Sequence, residues 1–311
     1  MSRTLPSLRW IAADWGTSTL RVRAIGAGGD ILAEAASDQG TGNLAPGGFE
    51  PALLRLVGPW LGPGVTPVLA AGMVGARQGW VEAGHRAVPC TPLPKAGAVR
   101  APANDPRLAV WIAPGLSQAR PADIMRGEET RIAGALALWP GFDGVFCLPG
   151  PHSRWARISA GEVVGFQTFL TGELFALLSR RSVLRHSLGD GETDGDTAED
   201  TDEDAFDEAL SDALSRPERA AARLFSIRAE SLLSGLAPAA ARGRLSGLLI
   251  GMELAGARPW WLGQDIVLIG PDRLCAAYAR ALAAQGAPAR SLPAADCALA
   301  GLATLLHGIA P

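Results

Sequence analysis

Twice along the chain, a short apolar strand runs into a loop of glycine and polar residues and is followed by a hairpin. The first copy begins with Trp10-Ile11-Ala12-Ala13 and ends at Asp14. The turn Asp14-Trp15-Gly16-Thr17-Ser18-Thr19 leads into an alternating strand, Leu20–Ile25, and after Gly26–Asp30 a third strand is expected over 31–36. The second copy begins with Gly144–Leu148, continues through Pro149-Gly150-Pro151-His152-Ser153, and closes with a hairpin formed by 154–159 and 163–169. Strands this apolar need covering layers on both faces. The rest of the pattern supplies them: helices are expected over 51–60, 128–138, 172–185, 218–234, 239–257, 272–285 and 295–307, and further buried strands over 67–71, 108–112 and 266–269. The expected architecture is a duplicated α/β fold with domains at 1–139 and 140–311. The duplication is one of pattern, with no residue-level repeat.

Charge narrows the function classes. Eleven acids and no Lys or Arg fall in 189–210, which leaves 20 acids against 28 basic residues elsewhere. All but Lys95 of those basic residues are arginines, scattered without a basic run, so a nucleic-acid partner is not expected. The acidic tract is expected to be a solvated loop. Asp190, Glu192, Asp194 and Gly195 match the start of a calcium loop, but Thr201 stands where the bidentate acid belongs. Four dispersed cysteines form no C-x-x-C pair, which favours a reducing compartment over a disulfide framework or zinc cluster. The apolar stretch 245–255 contains Glu253 and falls short of the ~20 residues of a membrane span. A cytoplasmic protein without a membrane partner is expected.

Several segments can carry chemistry. In the Asp14–Thr19 turn, backbone N–H groups and hydroxyls suit a phosphate, while Asp14 suits Mg²⁺ through water; a plain turn with a capping Asp is the alternative. Pro149–Ser153 occupies the same position in the second half, and two such turns facing each other could hold the ends of a triphosphate. Glu128 and Glu129 open a helix, where the dipole favours carboxylates; one of them could instead accept a hydroxyl proton. Arg126 could pair with a substrate carboxylate or make a structural ion pair. Gly72 and Gly75 would let backbone approach a substrate or serve a tight turn. Gly134 and Gly301 are small residues in otherwise good helices, each costing about 1 kcal/mol relative to Ala, and a glycine-rich composition accounts for them equally well. His85, His186 and His307 show no ligand spacing and are given no role.

The chain resembles the 2-dehydro-3-deoxygalactonokinase family of the acetate and sugar kinase/Hsp70/actin superfamily. The segments that carry the resemblance are Asp14-Trp15-Gly16-Thr17, Ala71-Gly72-Met73-Val74-Gly75 with Gly79-Trp80, Trp111–Leu116, Met125-Arg126-Gly127-Glu128-Glu129-Thr130, Leu148-Pro149-Gly150 with His152, Ser153 and Trp155, Leu170-Thr171-Gly172-Glu173-Leu174, and Ser246–Gly251. The resemblance implies two ribonuclease-H-like (actin/hexokinase-type) domains with ATP in the cleft between them. It also implies Mg²⁺-dependent phosphorylation of the C6 hydroxyl of 2-dehydro-3-deoxy-D-galactonate. Gly16, Thr17, Ser18 and Thr19 would then form the first phosphate loop, and Gly150, His152 and Ser153 the second. Gly270 would lie on the adenosine side. Gly72, Met73, Gly75, Arg126 and Glu129 would bind the sugar acid, Glu128 would be the base, and Asp14 would hold the metal. A homodimer is the expected assembly. Pro151 and Arg154 stand where the family usually has Thr and Lys, so the second loop lacks a hydroxyl and an N–H donor. A kinase for another keto-deoxy acid, or an ATP-binding sugar sensor, is the alternative.

Overall fold

The computed structural model describes residues 4–94, 96–189 and 201–309. The chain forms two compact units, one of Met1–Phe142, Ala160–Gly165 and Ala294–Pro311, the other of Asp143–Ser159 and Phe166–Pro293.

In the first unit, β1 (Leu8–Trp15), β2 (Leu20–Gly26) and β3 (Ile31–Ser37) form the expected antiparallel meander. After α1 (Phe49–Val57), β4 (Thr66–Gly72) pairs parallel with β1. Then follow β5 (His85–Ala87), β6 (Val99–Arg100), β7 (Leu108–Ile112), β8 (Gly115–Ala119), β9 (Ala122–Met125) and α2 (Glu128–Leu138). The main sheet runs β3-β2-β1-β4-β7-β6, and β5-β8-β9 form a small separate sheet. Alternation along β1 sends Ile11, Ala13 and Trp15 to the core beneath α1. Trp10 and Ala12 go to the opposite core, where they meet Ala133 of α2.

The second unit comprises β10 (Gly144–Leu148), β11 (Ser153–Ser159), the end of β12 (Glu162–Phe169) from Phe166 on, α3 (Thr171–Arg181), α4 (Arg185–Leu188), α5 (Glu203–Ser215) and α6 (Ala220–Leu233). It continues with α7 (Pro238–Gly256), α8 (Arg258–Trp261), β13 (Ile266–Gly270), α9 (Asp272–Ala283) and β14 (Ala289–Pro293). Its sheet runs β12-β11-β10-β13-β14, the same succession of meander and parallel strands as the first. The duplicated α/β pattern is therefore present as two mixed sheets of like topology. Ala160 (φ 49°) and Gly161 (φ 77°) turn the β11–β12 hairpin, two positive φ values of the kind a type I′ turn requires.

Three expectations are corrected. The last helix, α10 (Ala294–Ile309), belongs to the first unit, not to a domain spanning 140–311. Its Leu302 and Leu305 cover the β1–β4 face that Trp10, Ala12, Leu69 and Ala71 present. Residues 203–210 are not a solvated loop but the start of α5, N-capped by Asp202, whose side chain accepts the Ala205 N–H at 2.9 Å. Phe206, Ala209 and Leu210 are buried while the acids stay on the outer face. The calcium-like positions 190–195 lie outside the described residues. Finally, β5, β6, β8, β9 and β14 have no counterpart among the strands expected from the sequence.

Glycine sets the closest helix crossings. A Cβ on Gly134 of α2 would lie 1.7 Å from the Cys297 carbonyl oxygen of α10, and one on Gly301 would lie 1.9 Å from that of Thr130. On α7, Gly243, Gly247 and Gly251 meet the carbonyls of Asp202, Phe206 and Leu210 at 2.4, 2.3 and 2.6 Å in the same sense. Replacing Gly134 by Ala should therefore destabilise the protein despite the better helix propensity, by about 1–3 kcal/mol. Gly58→Ala, where φ is −51° and the added carbon meets open space, should change stability by less than about 1 kcal/mol. Urea unfolding of the two variants checks the contrast.

Candidate active site

The first loop is braced from below. Trp15 is buried against Phe49 and Trp80, and its indole donates to the Gln39 carbonyl at 2.9 Å. The Gly16 and Thr17 carbonyls accept from Thr41 N–H (3.0 Å) and Gly42 N–H (2.9 Å). A trans peptide points its N–H opposite its carbonyl, so the Thr17 and Ser18 N–H groups are turned away from this brace. Both residues are exposed, which is the arrangement of an anion-binding turn. A Cβ on Gly40 would lie 2.3 Å from the Thr17 carbonyl oxygen, so only glycine fits beneath the turn. Asp14, 35% exposed at the end of β1, lies 3.6 Å from Arg131 of α2.

The start of α2 is built on two glycines. Gly72 (φ 97°) ends β4, Gly127 (φ 103°) is the N-cap of α2, and a Cβ on Gly127 would sit 3.3 Å from the Gly72 Cα. Gly127 has no side chain to cap with, so the helix acids reach back instead. Both Glu129 oxygens accept the Gly127 N–H (2.9 and 2.7 Å), and Glu128 accepts the Arg126 N–H at 3.2 Å. Glu129 is 0% exposed. Burial, then the neighbouring Glu128 charge, pushes its carboxyl up to about 8. Expected among the substrate-binding residues, Glu129 instead has the capping role and presents no open face. Glu128 is half-buried.

Arg126 follows the small sheet. Its Nη2 donates to the Gly84 carbonyl at 2.8 Å and lies 3.2 Å from His85 Nε2. Its Nη1 is buried and has no hydrogen-bond partner among the described residues; it lies beside Gly75, where an added Cβ would be 2.9 Å from it. Burial and the Arg126 charge hold His85 below the usual imidazole range. That keeps its ring an acceptor for the guanidinium at neutral pH. His85, given no role from the sequence, is thus a partner of the candidate substrate arginine. Gly72, Gly75, Arg126, Glu128 and Glu129 are brought together; Met73, between the two glycines, is exposed.

In the second unit, the 149–153 loop rests on the start of α3. A Cβ on Gly172 would lie 2.4 Å from the Gly150 carbonyl oxygen, Glu173 N–H donates to the Pro151 carbonyl at 2.8 Å, and His152 Nε2 lies 2.5 Å from the Glu173 carboxylate. Gly270 ends β13 beside the same loop, where a Cβ would lie 3.0 Å from the Pro149 carbonyl oxygen. Ser153, expected to touch phosphate, is fully buried, 3.0 Å from the Tyr278 hydroxyl. Its side chain supports the loop from inside.

Among the described residues no three His, Cys, Asp or Glu side chains form a metal-binding group. Mg²⁺ keeps its waters and takes one or two carboxylates alongside substrate phosphates, so it does not need such a group. Asp14, half-open at the mouth of the first loop, suits that sparse donor set.

Fold and site together define a class: an α/β protein of two like-patterned units, each opening on a braced loop at the end of a central strand. Within that class, the family model described as 2-keto-3-deoxy-galactonokinase matches residues 14–305, and the chain belongs to that family. It is 39% identical to a probable 2-dehydro-3-deoxygalactonokinase, DgoK1, of Rhizobium meliloti (strain 1021), over 97% of this chain and 98% of that protein. It is 33% identical to the 2-dehydro-3-deoxygalactonokinase of Escherichia coli (strain K12), over 97% and 99%. A crystal structure of a putative 2-dehydro-3-deoxygalactonokinase protein from Sinorhizobium meliloti superposes with a TM-score of 0.86 at 38% identity, covering 97% of each chain.

Glu129 carries a pH signature. Its carboxyl is raised in the folded state, so the folded protein binds the proton more tightly. The stabilising contribution is complete below the unfolded value, roughly 4.3, and is lost as pH rises through about 8. The melting temperature should fall across that window, and Glu129→Gln should flatten the fall. Thermal melts of both proteins from pH 5 to pH 9 test this.

Proposed function

We propose that the protein transfers the γ-phosphoryl group of ATP to the C6 hydroxyl of 2-dehydro-3-deoxy-D-galactonate, giving 2-dehydro-3-deoxy-6-phosphogalactonate and ADP. Membership of the family over nearly the whole chain supports the reaction type. The observation that carries the substrate class is Arg126. A buried cationic N–H with no acceptor is costly, and Nη1 is such a group. The carboxylate of a sugar acid supplies the missing charged acceptor. Because Nη2 is already engaged, the acid is held mainly through Nη1, on the side of the Gly72, Met73 and Gly75 segment, where Gly75 lies against that nitrogen.

Each unit has a ribonuclease-H-like fold. The first contributes the loop of Gly16, Thr17, Ser18 and Thr19 to phosphate binding, together with the sugar-acid site. The second contributes Gly150 and His152 to phosphate, with adenosine on the side of Gly270 and α9. Glu128 accepts the C6 hydroxyl proton as that oxygen bonds to the γ-phosphorus and the bond to the bridging oxygen of ADP breaks. Asp14 holds Mg²⁺, which neutralises phosphate charge when bound.

A coupled ADP-release assay with ATP, Mg²⁺ and either 2-dehydro-3-deoxy-D-galactonate or its gluconate epimer tests the reaction. Turnover is expected on the galactonate form. Asp14→Ala should reduce it by at least about 10²-fold at unchanged melting temperature, a loss typical of an electrostatic active-site group. Silence of the wild type on both acids, with ATP binding still measurable, would overturn the assignment. Arg126→Lys should raise the KM for the sugar acid about 10–100-fold, the equivalent of one charged hydrogen bond, and leave the KM for ATP nearly unchanged. Equal rises in both constants would remove Arg126 from acid recognition.

A further inference from the structure

Glu253 lies on α7 just beyond the glycine stripe and is 2% exposed. Its carboxylate collects donors from three other elements. Trp155 Nε1 of β11 donates to Oε1 at 2.8 Å, Tyr278 of α9 donates to Oε2 at 2.7 Å, and Thr171, the first residue of α3, also donates to Oε2. The one Tyr278 proton is thereby used, so Ser153 is the donor in its 3.0 Å bond to the phenol oxygen. Among the described residues no cation pairs with this carboxylate. Burial pushes it above the usual carboxylate range, and the hydroxyl and indole donors pull the other way.

A buried carboxylate without a cation is a poor device for stability alone, since apolar residues of similar volume commonly serve as well or better. Its ligands show what else it does. Ser153 is the last residue of the 149–153 loop. Thr171 opens the helix on which that loop rests through Gly172, Glu173 and the Pro151 carbonyl. We propose that Glu253 is a positioning residue for nucleotide binding: it fixes Ser153 and Thr171, and through them the second phosphate loop against the start of α3. This rests on the reading of that loop as phosphate-binding.

Chemistry at Glu253 makes the proposal testable with an isosteric change. Trp155 can only donate, so in Glu253→Gln the amide oxygen must face it. The amide NH₂ then faces Thr171 and Tyr278, whose hydroxyls must switch from donating to accepting, and the Tyr278–Ser153 bond reverses. Packing is retained while the polarity of the network is inverted. Isothermal titration with ATP, without sugar acid, is the primary readout, accompanied by both KM values, kcat and the melting temperature. Glu253→Gln should weaken ATP binding and raise the KM for ATP about 5–50-fold, with the KM for sugar acid within about twofold. Tyr278→Phe, which removes only the bridging hydroxyl, should shift ATP binding in the same direction by less. Ile227→Ala, in the helical core of the same unit, should lower the melting temperature and leave ATP affinity unchanged. Unchanged ATP affinity in both network variants, or a loss matched by Ile227→Ala at equal destabilisation, would overturn the proposal. Wild-type protein that binds ATP but phosphorylates neither acid would overturn the proposed reaction and leave this comparison intact.

Discussion

The structure depends on backbone approaching backbone where a β-carbon would stand in the way. Gly134 and Gly301 let α2 and α10 cross with carbonyl oxygens closer than any side chain permits. Each such glycine costs about 1 kcal/mol of helix propensity relative to Ala. The return is dense packing and close Cα–H···O approach, worth about 0.5–1 kcal/mol per contact. What the crossing achieves is placement: α2 is fixed over the sheet with its first turn against the end of β4, where Gly127 meets Gly72. Arg126, Glu128 and Arg131 owe their positions to that seating.

Charge at the first site is arranged around one cation that the protein leaves incompletely matched. His85 is held neutral beside Arg126, and Glu129, the nearest buried acid, is shifted toward its neutral form and turned to the Gly127 N–H. Among the described residues, the Arg126 side-chain N–H groups donate to a carbonyl and an imidazole and to no carboxylate. An arginine solvated by neutral acceptors retains its attraction for an incoming anion, whereas one already in an ion pair would first have to be released. The small sheet β5-β8-β9 makes this possible, since it delivers Gly84 and His85 to one side of the guanidinium.

Much of this architecture is legible in the sequence, and the exceptions have physical reasons. Both meanders are readable because β-period alternation and turn residues coincide, and α2 is readable because Gly127 and Glu128 start it and Pro140 follows its end. The small sheet is not, because its strands are three to five residues long and half-exposed, with no alternation to detect. His85 lacks a local signal because its partner, Arg126, is 41 residues away. The beginning of α5 was hidden by its acidity, although Phe206, Ala209, Leu210 and Ala213 keep a helical spacing beneath the charges. Gly243, Gly247 and Gly251 did announce a helix crossing by their period of four, obscured by a glycine-rich composition. Glu253 was visible as a lone acid in an apolar helix, but its meaning depends on donors from β11, α3 and α9 that only the fold assembles.

The two strand-end loops reach the same end by different means. The first is a hairpin turn whose carbonyls are tied down by the 40–42 segment, so its N–H groups point outward by peptide geometry alone. The second carries Pro151, which has no N–H to offer. Its carbonyl, however, is the group that α3 captures through Glu173, and a captured carbonyl turns the next N–H, that of His152, the opposite way. Proline also narrows the conformations of the free loop, so less entropy is lost when it is held in one shape. The donor missing at 151 is thus offset by a fixed donor at 152, provided the start of α3 stays where it is. That condition places the burden on Thr171 and on the buried carboxylate that holds it, which is why a residue remote from solvent bears on what the loop can bind.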